Sequence, residues 1–271
     1  MKIPLSLKIT LGIIASLLIF AFILPYFAPY DPRRWATVPR DNPPSFTYPF
    51  GTTTVGQDLF WLTSYALRNS IILGILTASI SVMIAFLLGS LAGFVRGSIS
   101  RYALTLLIDS FCLIPGLPVL IVLAYSWRKF LSPVLIALIL SIFGWAWPSR
   151  SVRSLILSLR ERSFTYTSIL SGFGMMRIFF YEYLPYIIRW LAVSFLGLLN
   201  WAIGMETTIA VFGLSTLEEA TIGSIIYWAL QYQSILRGIW WWVTFPILLL
   251  AILIVTLYEL SKIISEFTGV K

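Results

Sequence analysis

Two carboxylates lie inside long apolar blocks of the sequence. Asp109 follows Arg101 by eight residues, and Glu206 lies near the end of a later block. A carboxylate at membrane depth is costly unless it is neutral, paired or facing water, so each could carry a proton or cation or line a pathway. For Asp109 the simpler alternative is an ion pair with Arg96, Arg101 or a basic loop residue. For Glu206 the alternative is hydrogen bonding within the Gly204–Gly213 region, where helix regularity can fail.

The residue types needed for several other chemistries are absent. The chain has no histidine, which excludes histidine metal ligands, histidine proton relays and catalysis by serine–histidine or cysteine–histidine pairs. Its one cysteine, Cys112, lies in an apolar block, where a buried inert thiol is the simpler interpretation. The phosphate-binding motif G-x-x-x-x-G-K-S/T is also missing. We therefore expect no metal, no cofactor and no catalytic activity, and a membrane-embedded enzyme is disfavoured.

The composition is that of a polytopic membrane protein. Hydrophobic residues make up 59% of the 271 positions, and the mean hydropathy is +0.90, above the usual range of soluble proteins. Several apolar blocks approach or exceed the ~20 residues with which a helix crosses a bilayer. The net charge of +8 is assigned mostly to loops on the inner side of the membrane, so no nucleic-acid partner is expected.

Six apolar blocks predict an all-α fold with six transmembrane helices. They cover Ile9–Leu24, Ala66–Val95, Tyr102–Trp127, Phe130–Trp147, Tyr186–Phe212 and Ile239–Leu260. The first block is not followed by a small-residue cleavage site, so it is interpreted as an anchored span rather than a signal peptide. The third contains IPGLP at 114–118, where Pro115 and Pro118 should kink the helix. This kink is either a hinge beside a pathway or a static bend.

The loops predict how the chain is divided and oriented. Residues 26–61 are rich in proline, which predicts an irregular extramembrane loop. We expect an N-terminal unit, 1–65, made of the first span and this loop, and a core, 66–271, with five spans. Eleven Lys and Arg lie on the side that holds both termini, against seven on the other side. The positive-inside rule therefore places both termini, and segment 149–185, in the cytoplasm of a multi-pass protein of the cell membrane.

Segment 149–185 is neither continuously apolar nor a short connector. A helix is expected from about residue 162 to residue 171, followed by a turn at Gly172 and Gly174 and then a new helix. One apolar face is predicted from residues at three- and four-residue spacing, namely Tyr166, Ile169, Leu170 and Phe173. By itself the segment would equally suit an amphipathic helix on the lipid surface, with its arginines on anionic headgroups.

The order of these pieces resembles the permeases of ABC importers. Segment 160–185 is similar to their cytoplasmic EAA loop, R-E-x-x-Y-x-E-A-A-x-x-x-G followed by an apolar stretch and L-P. The matching residues are Arg160, Glu161, Gly172, Ile178, Phe180, Leu184 and Pro185. The Glu-Ala-Ala signature falls on Tyr166, Thr167 and Ser168, so the carboxylate that would make a salt bridge to an ATPase is missing.

Other segments resemble the oligopeptide, dipeptide and nickel permease family, and within it the second, C-type permease. Residues 48–60, YPFGTTTVGQDLF, are similar to H-P-x-G-T-D-x-x-G-R-D, with departures at Tyr48, Thr53 and Gln57. Further matches in the same order are Arg68, Ser70, Gly74, Gly89, Ala92, Gly93, Asp109, Pro115, Glu206, Phe212, Gly213 and Leu214. The resemblance covers nearly the whole chain.

This resemblance implies a type I ABC importer permease fold with a cytoplasmic coupling helix. The implied partners are a homologous permease subunit, two ABC ATPase subunits, an extracellular or periplasmic solute-binding protein and the lipid bilayer. Coupling to the ATPases is expected from Arg160, Glu161, Arg162, Tyr166, Ile169, Leu170, Gly172 and Phe173. The translocation pathway is expected to include Asp109, Pro115 and Glu206. Peptides or oligosaccharides are the implied solutes, and the lack of histidine argues against nickel selectivity in this subunit.

A different class of function is an ion-gradient-driven secondary transporter in which Asp109 or Glu206 carries a proton or sodium ion. It predicts transport without ATPases and loss of transport in Asp109→Asn. Many carriers of this class contain internal repeats. The sequence has no clear repeat of that kind, which disfavours the alternative.

Overall fold

The computed structural model describes residues 5–94, 98–127, 130–215 and 219–268, and these are mainly helical apart from the irregular stretch 28–58. An isolated bridge between Thr52 and Asp58 is the one β-contact in the described ranges. The helices are α1 Leu5–Leu18, α2 Leu59–Phe94, α3 Ser98–Leu113, α4 Gly116–Ser126, α5 Pro133–Gly144, α6 Ala146–Arg160, α7 Ser163–Leu170, α8 Met175–Ile178, α9 Leu184–Val211, α10 Ile222–Gln231 and α11 Trp241–Thr268.

The predicted six spans are confirmed by length and composition. Four described helices are long and apolar enough to cross a membrane, over Leu5–Phe27, Leu59–Phe94, Met175–Val211 and Trp241–Phe267. Two bent pairs, α3 with α4 and α5 with α6, bring the number to six when each pair is taken as one span. A short π-helical turn at Phe179–Tyr183 joins α8 to α9 within the third of these four helices.

The predicted break in the third span is confirmed. The axes of α3 and α4 differ by 82°, and Pro115 stands at the break with an extended backbone, φ −69° and ψ 98°. Proline has no N–H to donate, and its ring disfavours a helical conformation in the residue before it, so α3 ends just before Pro115. The next span begins at Pro133, where the Ser132 hydroxyl accepts a hydrogen bond from the Leu135 N–H at 3.2 Å.

Several predicted span boundaries were wrong. The second span begins at Leu59 rather than Ala66, so the predicted unit boundary at residue 65 falls inside α2. The fourth span was predicted to end at Trp147, but after a 42° bend α6 continues as a helix to Arg160. Its polar residues do not end the helix because Val152, Ile156 and Leu159 form a buried stripe along one side. The first 12 residues of segment 149–185 are therefore part of a span.

The long helix α2 lies at the centre of the molecule and packs against α5, α6 and α9. Glycines allow its close approach to α6. A Cβ at Gly89 would lie 2.6 Å from the Ser149 carbonyl oxygen and 2.8 Å from Val152 Cβ, and a Cβ at Gly93 would lie 2.9 Å from Ile156 Cβ. Small residues at such a crossing let two backbones pack tightly, which is a common way of joining helices in a membrane.

The loop between the first two spans is irregular, as predicted, but it is firmly attached to the rest of the chain. The indole N–H of Trp241 donates to the Thr52 carbonyl at 3.0 Å, and Arg237 pairs with Asp41 at 3.0 Å. Gly51 has φ +76°, and a Cβ there would lie 2.7 Å from the Trp241 ring. The loop therefore packs against the region that begins the last span.

A buried carboxylate connects this loop to α2. Asp58 accepts hydrogen bonds from the Phe60 N–H at 3.0 Å and from the Tyr30 hydroxyl at 2.8 Å. It therefore caps the first turn of α2, since its side chain satisfies an N–H that the helix leaves unpaired. Burial raises the pKa of Asp58 above its ordinary value, and the two hydrogen bonds oppose that shift.

Candidate functional site

The short helix predicted within segment 149–185 is confirmed as α7, and its end is set by glycine. The Phe173 N–H donates to the Ser168 carbonyl and the Gly172 N–H to the Ile169 carbonyl, both at 3.0 Å. This pair of bonds requires a left-handed residue just after the helix, and Gly172 supplies it with φ +79°. The chain then turns through Gly174 into α8.

One buried side chain joins α7 to the helices on both sides of it. Thr165 is 2% exposed, and its hydroxyl donates to the Leu159 carbonyl of α6 at 2.8 Å. The same hydroxyl lies 3.2 Å from the hydroxyl of Tyr183, which is fully buried where α8 leads into α9. Ser168 also donates to Glu182. Because α7 contacts both flanking spans, a displacement of α7 must displace them too.

The predicted apolar face of α7 points away from the rest of the chain. Leu170 is 88% exposed and Tyr166 is 56% exposed, and two further apolar side chains beside them, Ile169 and Phe173, are exposed as well. We call these four residues the docking surface. Its side chains contact no other part of the described chain closely enough to be buried. A contiguous exposed apolar patch is a candidate site for binding a partner.

Basic side chains surround the docking surface. The guanidinium of Arg177 lies 4.1 Å from the centre of the Phe173 ring, a cation–π contact. Arg162 immediately precedes α7, and Glu161 beside it is exposed. Arg160 donates to the Gly93 carbonyl of α2 at 3.3 Å. Of the predicted coupling residues, Arg160, Glu161, Tyr166 and Ile169 line one common cleft.

A groove of about 540 Å³ lies beside the bend in the third span. Its walls come from α3, α4, α5, α6 and α9, and they contain no charged side chain. Five aromatic residues dominate it, namely Phe111, Phe143, Trp147, Trp190 and Trp201. Pro115 is not itself in the wall, but Ile114 and Gly116 on either side of it are.

The two intramembrane carboxylates do not line this groove. Asp109 forms an ion pair with Arg150 of α6 at 3.6 Å, and both side chains are partly exposed. An ion pair was the simpler of the two interpretations of Asp109, and the observed partner is Arg150. Arg96, one of the two arginines considered as partners, lies outside the described residues. Arg150 was expected in a loop, and it reaches Asp109 because α6 continues the span.

Glu206 is fully buried and attaches the chain that follows α9. Its Oε1 accepts hydrogen bonds from Ser215 at 3.0 Å and from Thr221 at 2.8 Å, while the main chain turns at Gly213 with φ +72°. Thr221 in turn caps α10. Hydrogen bonding near an irregular region was one of the two readings for Glu206, and the observed donors are hydroxyls that follow the span.

Sequence reasoning missed four of these hydroxyl groups. Thr165 and Tyr183 on one side of the molecule, and Ser215 and Thr221 on the other, carry no motif that separates them from ordinary polar residues. A threonine next to an apolar stripe was the one available signal for Thr165. In the described ranges, no group of three or more His, Cys, Asp or Glu side chains lies close enough together to hold a metal ion.

Comparison with known proteins gives the family. The family model described as binding-protein-dependent transport system inner membrane component matches residues 85–264. The chain is 28% identical to the dipeptide transport system permease protein DppC of Bacillus subtilis, over 87% of this chain and 72% of that protein. It is 29% identical to the oligopeptide transport system permease protein OppC of the same organism, over 74% of this chain and 65% of that one.

A third relative has a different solute in its name. The nickel transport system permease protein NikC of Escherichia coli K12 is 29% identical, over 87% of this chain and 82% of its own length. The match begins within α2 and continues into α11, so it includes α7, the groove and both intramembrane carboxylates. The chain therefore belongs to the family of binding-protein-dependent transport system inner membrane components, as an ABC importer permease of the peptide, dipeptide and nickel group.

Proposed function

We propose that this chain forms one half of the translocation pathway of an ATP-driven importer. A homologous permease subunit supplies the other half, one ABC ATPase binds beneath each half, and an external solute-binding protein delivers the solute. The observation that carries the proposal is the docking surface. Four apolar side chains are exposed on α7 and the turn that ends it, and the buried side of α7 is hydrogen-bonded to α6 and to the turn that precedes α9.

The same contacts suggest how ATP drives transport. ATP binding closes the two ATPases and pushes α7, and the Thr165 hydroxyl transmits the displacement to Leu159 and Tyr183. Because α6 packs closely on α2 through Gly89 and Gly93, the spans move as packed bodies rather than by bending separately. The pathway then opens outward, and hydrolysis and release of the products reset it. This chain performs no hydrolysis itself.

Peptides or oligosaccharides are the solutes that suit the groove best. Aromatic rings offer broad apolar faces to side chains and to the faces of sugar rings. A metal ion would require nitrogen, oxygen or sulfur ligands. Apart from the tryptophans and Met205, the only side chains in the wall that carry such atoms are Cys112, Ser151 and Ser194. Selectivity lies mainly in the binding protein, and this subunit contributes a permissive wall.

We place α7 and both termini in the cytoplasm of a cell-membrane protein. The support is the excess of Lys and Arg on that side, eleven against seven. Three of the eleven, Arg150, Arg153 and Arg160, lie on α6 and not in a loop. Thiol labelling of the loops is therefore the direct test of orientation.

The proposal is tested by purification of the complex from native membranes in mild detergent, followed by mass spectrometry. We expect a second six-span permease and one or two P-loop ATPases to co-purify with the chain. Leu170→Asp should reduce recovery of the ATPases because it places a charge at the centre of the docking surface. Recovery of the chain alone, together with solute transport in vesicles that lack ATP, would overturn the proposal and return Asp109 and Glu206 as candidate ion carriers.

A further inference from the structure

The docking surface combines an apolar centre with a basic border. Leu170 is its most exposed side chain. Arg177 stacks on Phe173 at 4.1 Å and lies 5.9 Å from the Tyr181 ring centre. Arg162 is exposed immediately before the first residue of α7. Neither arginine forms an ion pair with any carboxylate in the described part of the chain.

A cleft of about 370 Å³ continues this border beneath Tyr166. Arg101 and Arg160 both line it, and Glu161 is the one carboxylate among its lining residues. Glu182, the next carboxylate along the chain, is hydrogen-bonded to Ser168. In the described ranges, Arg162 and Arg177 therefore border the docking surface without an ion-paired carboxylate, and Glu182 is already bound to Ser168.

We propose that the ATPase cleft that receives the docking surface has an apolar floor and an acidic rim, with carboxylates opposite Arg162 and Arg177. This inference rests on the proposed function, which supplies the ATPase as the partner. Charged groups across an interface must be complementary, since like charges facing each other cost several kcal/mol. Guanidinium groups bind carboxylates through paired, charge-assisted hydrogen bonds. The apolar centre requires apolar contact, because burial against a charged floor would leave that charge unsolvated.

The experiment compares ATPase recovery across variants of the complete transporter, purified in mild detergent. The double variant Arg162→Glu/Arg177→Glu should lower recovery about tenfold because it sets negative charge against the acidic rim. The matched control is Lys8→Glu/Lys262→Glu, which makes the same change in charge at exposed positions of α1 and α11. Its recovery should equal that of the wild type.

Salt supplies a second readout that a merely structural role would not change. Recovery of the wild-type complex should fall as KCl is raised from about 50 mM to about 500 mM, because salt screens exposed charge pairs. The neutral variant Arg162→Gln/Arg177→Gln should start lower and depend less on salt. Wild-type recovery that does not respond to salt, or unchanged recovery of the Glu variant, would overturn the inference.

Two outcomes separate this inference from the proposed function. If Leu170→Asp abolishes recovery and the arginine variants do not, the ATPase binds here through apolar contact alone and only the acidic rim is wrong. If no variant of the docking surface affects recovery, the proposed function is wrong as well. The measurements are repeated in bilayers of neutral lipid and in bilayers with anionic lipid. An arginine effect confined to anionic bilayers would mean that these side chains bind lipid headgroups, which overturns the acidic rim.

Discussion

Thr165 is a single hydroxyl on which the position of α7 depends. Thr165→Val keeps the shape of the side chain but removes both hydrogen bonds, to Leu159 and to Tyr183. A buried polar group left unpaired costs about 1–3 kcal/mol. We expect a lower unfolding temperature in detergent and, in proteoliposomes, ATP hydrolysis that is less tightly coupled to solute uptake.

The control is Thr167→Val, two residues along the same helix. Thr167 is exposed, and its hydroxyl donates only to the Ser163 carbonyl of its own helix, at 3.1 Å. Its loss should leave both stability and coupling close to wild type. Equal effects of the two substitutions would contradict the role given to Thr165.

Gly172 determines how α7 ends. A side chain at φ +79° is strained by about 1–2 kcal/mol, although a Cβ there meets no atom within 4 Å. Gly172→Val should therefore leave the chain inserted in the membrane but shift Phe173 and weaken ATPase association. Co-purification of the ATPases measures this. Gly174→Val is the control, since that backbone has φ −66° and is also open, so its ATPase recovery should be normal.

Individual residues of the docking surface were predictable, whereas the residues that hold it were not. The spacing of Tyr166, Ile169, Leu170 and Phe173 predicts one face of a helix. Periodicity does not say whether such a face points inward or outward. The inward side of α7 is instead formed by Thr165, a polar residue that becomes interpretable only when Leu159 and Tyr183 are seen beside it.

The crossing of α2 and α6 is the contact that should be most sensitive to added volume. Gly89→Ala would place a methyl group 2.6 Å from a backbone oxygen of Ser149, so one helix must shift. Overpacking of this kind costs about 1–3 kcal/mol. We expect a lower unfolding temperature and weaker coupling, measured by thermal unfolding in detergent and by ATP-driven uptake in proteoliposomes.

A glycine in an open position provides the comparison. A Cβ at Gly12 of α1 meets nothing within 4 Å, so Gly12→Ala should leave the unfolding temperature unchanged or slightly raised. A drop equal to that of Gly89→Ala would show that any glycine in these helices is sensitive. The packing of α2 against α6 would then have no special part in stability.

At the scale of elements, the spans were predictable and their ends were not. Hydropathy identifies α2, but its first turn is fixed by Asp58, which sits in a proline- and glycine-rich stretch that reads as loop. Hydropathy also predicts the end of the fourth span too early, at Trp147 rather than Arg160. In α6 three arginines and four serines lower the mean hydropathy, whereas every third or fourth residue is buried against α2. The length of such a helix becomes clear only when the helix that it packs against is known, and a single sequence does not give that packing.

The orientation of the whole molecule in the membrane is open to a direct test. In a Cys112→Ala background, Thr47→Cys should react with an impermeant thiol reagent added to intact cells, because Thr47 is exposed on the loop that the proposed orientation places outside the cell. Thr53 is unsuitable, since it is fully buried. Thr167→Cys should react only after the membrane is permeabilised. The reverse pattern would invert the proposed topology.

At the scale of the whole chain, the ordered series of short matches predicted the family, which the comparison over residues 85–264 confirms. Each match alone is a few residues long, and the sum is informative because the pieces occur in the right order. The aromatic groove was not predictable in the same way. Its wall combines residues from five helices, from Phe111 to Met205, and their meeting depends on the two bends.

The contacts that attach the loop between the first two spans have a consequence for biosynthesis. The contacting residues Asp41 and Arg237 are 196 positions apart in the sequence, and Thr52 and Trp241 are 189 positions apart. A ribosome releases the N-terminal part of a chain first. The loop must therefore remain without these contacts until Arg237 and Trp241 have been translated. Formation of the two contacts is a late step in the folding of the chain, and the loop is less protected from proteolysis until then.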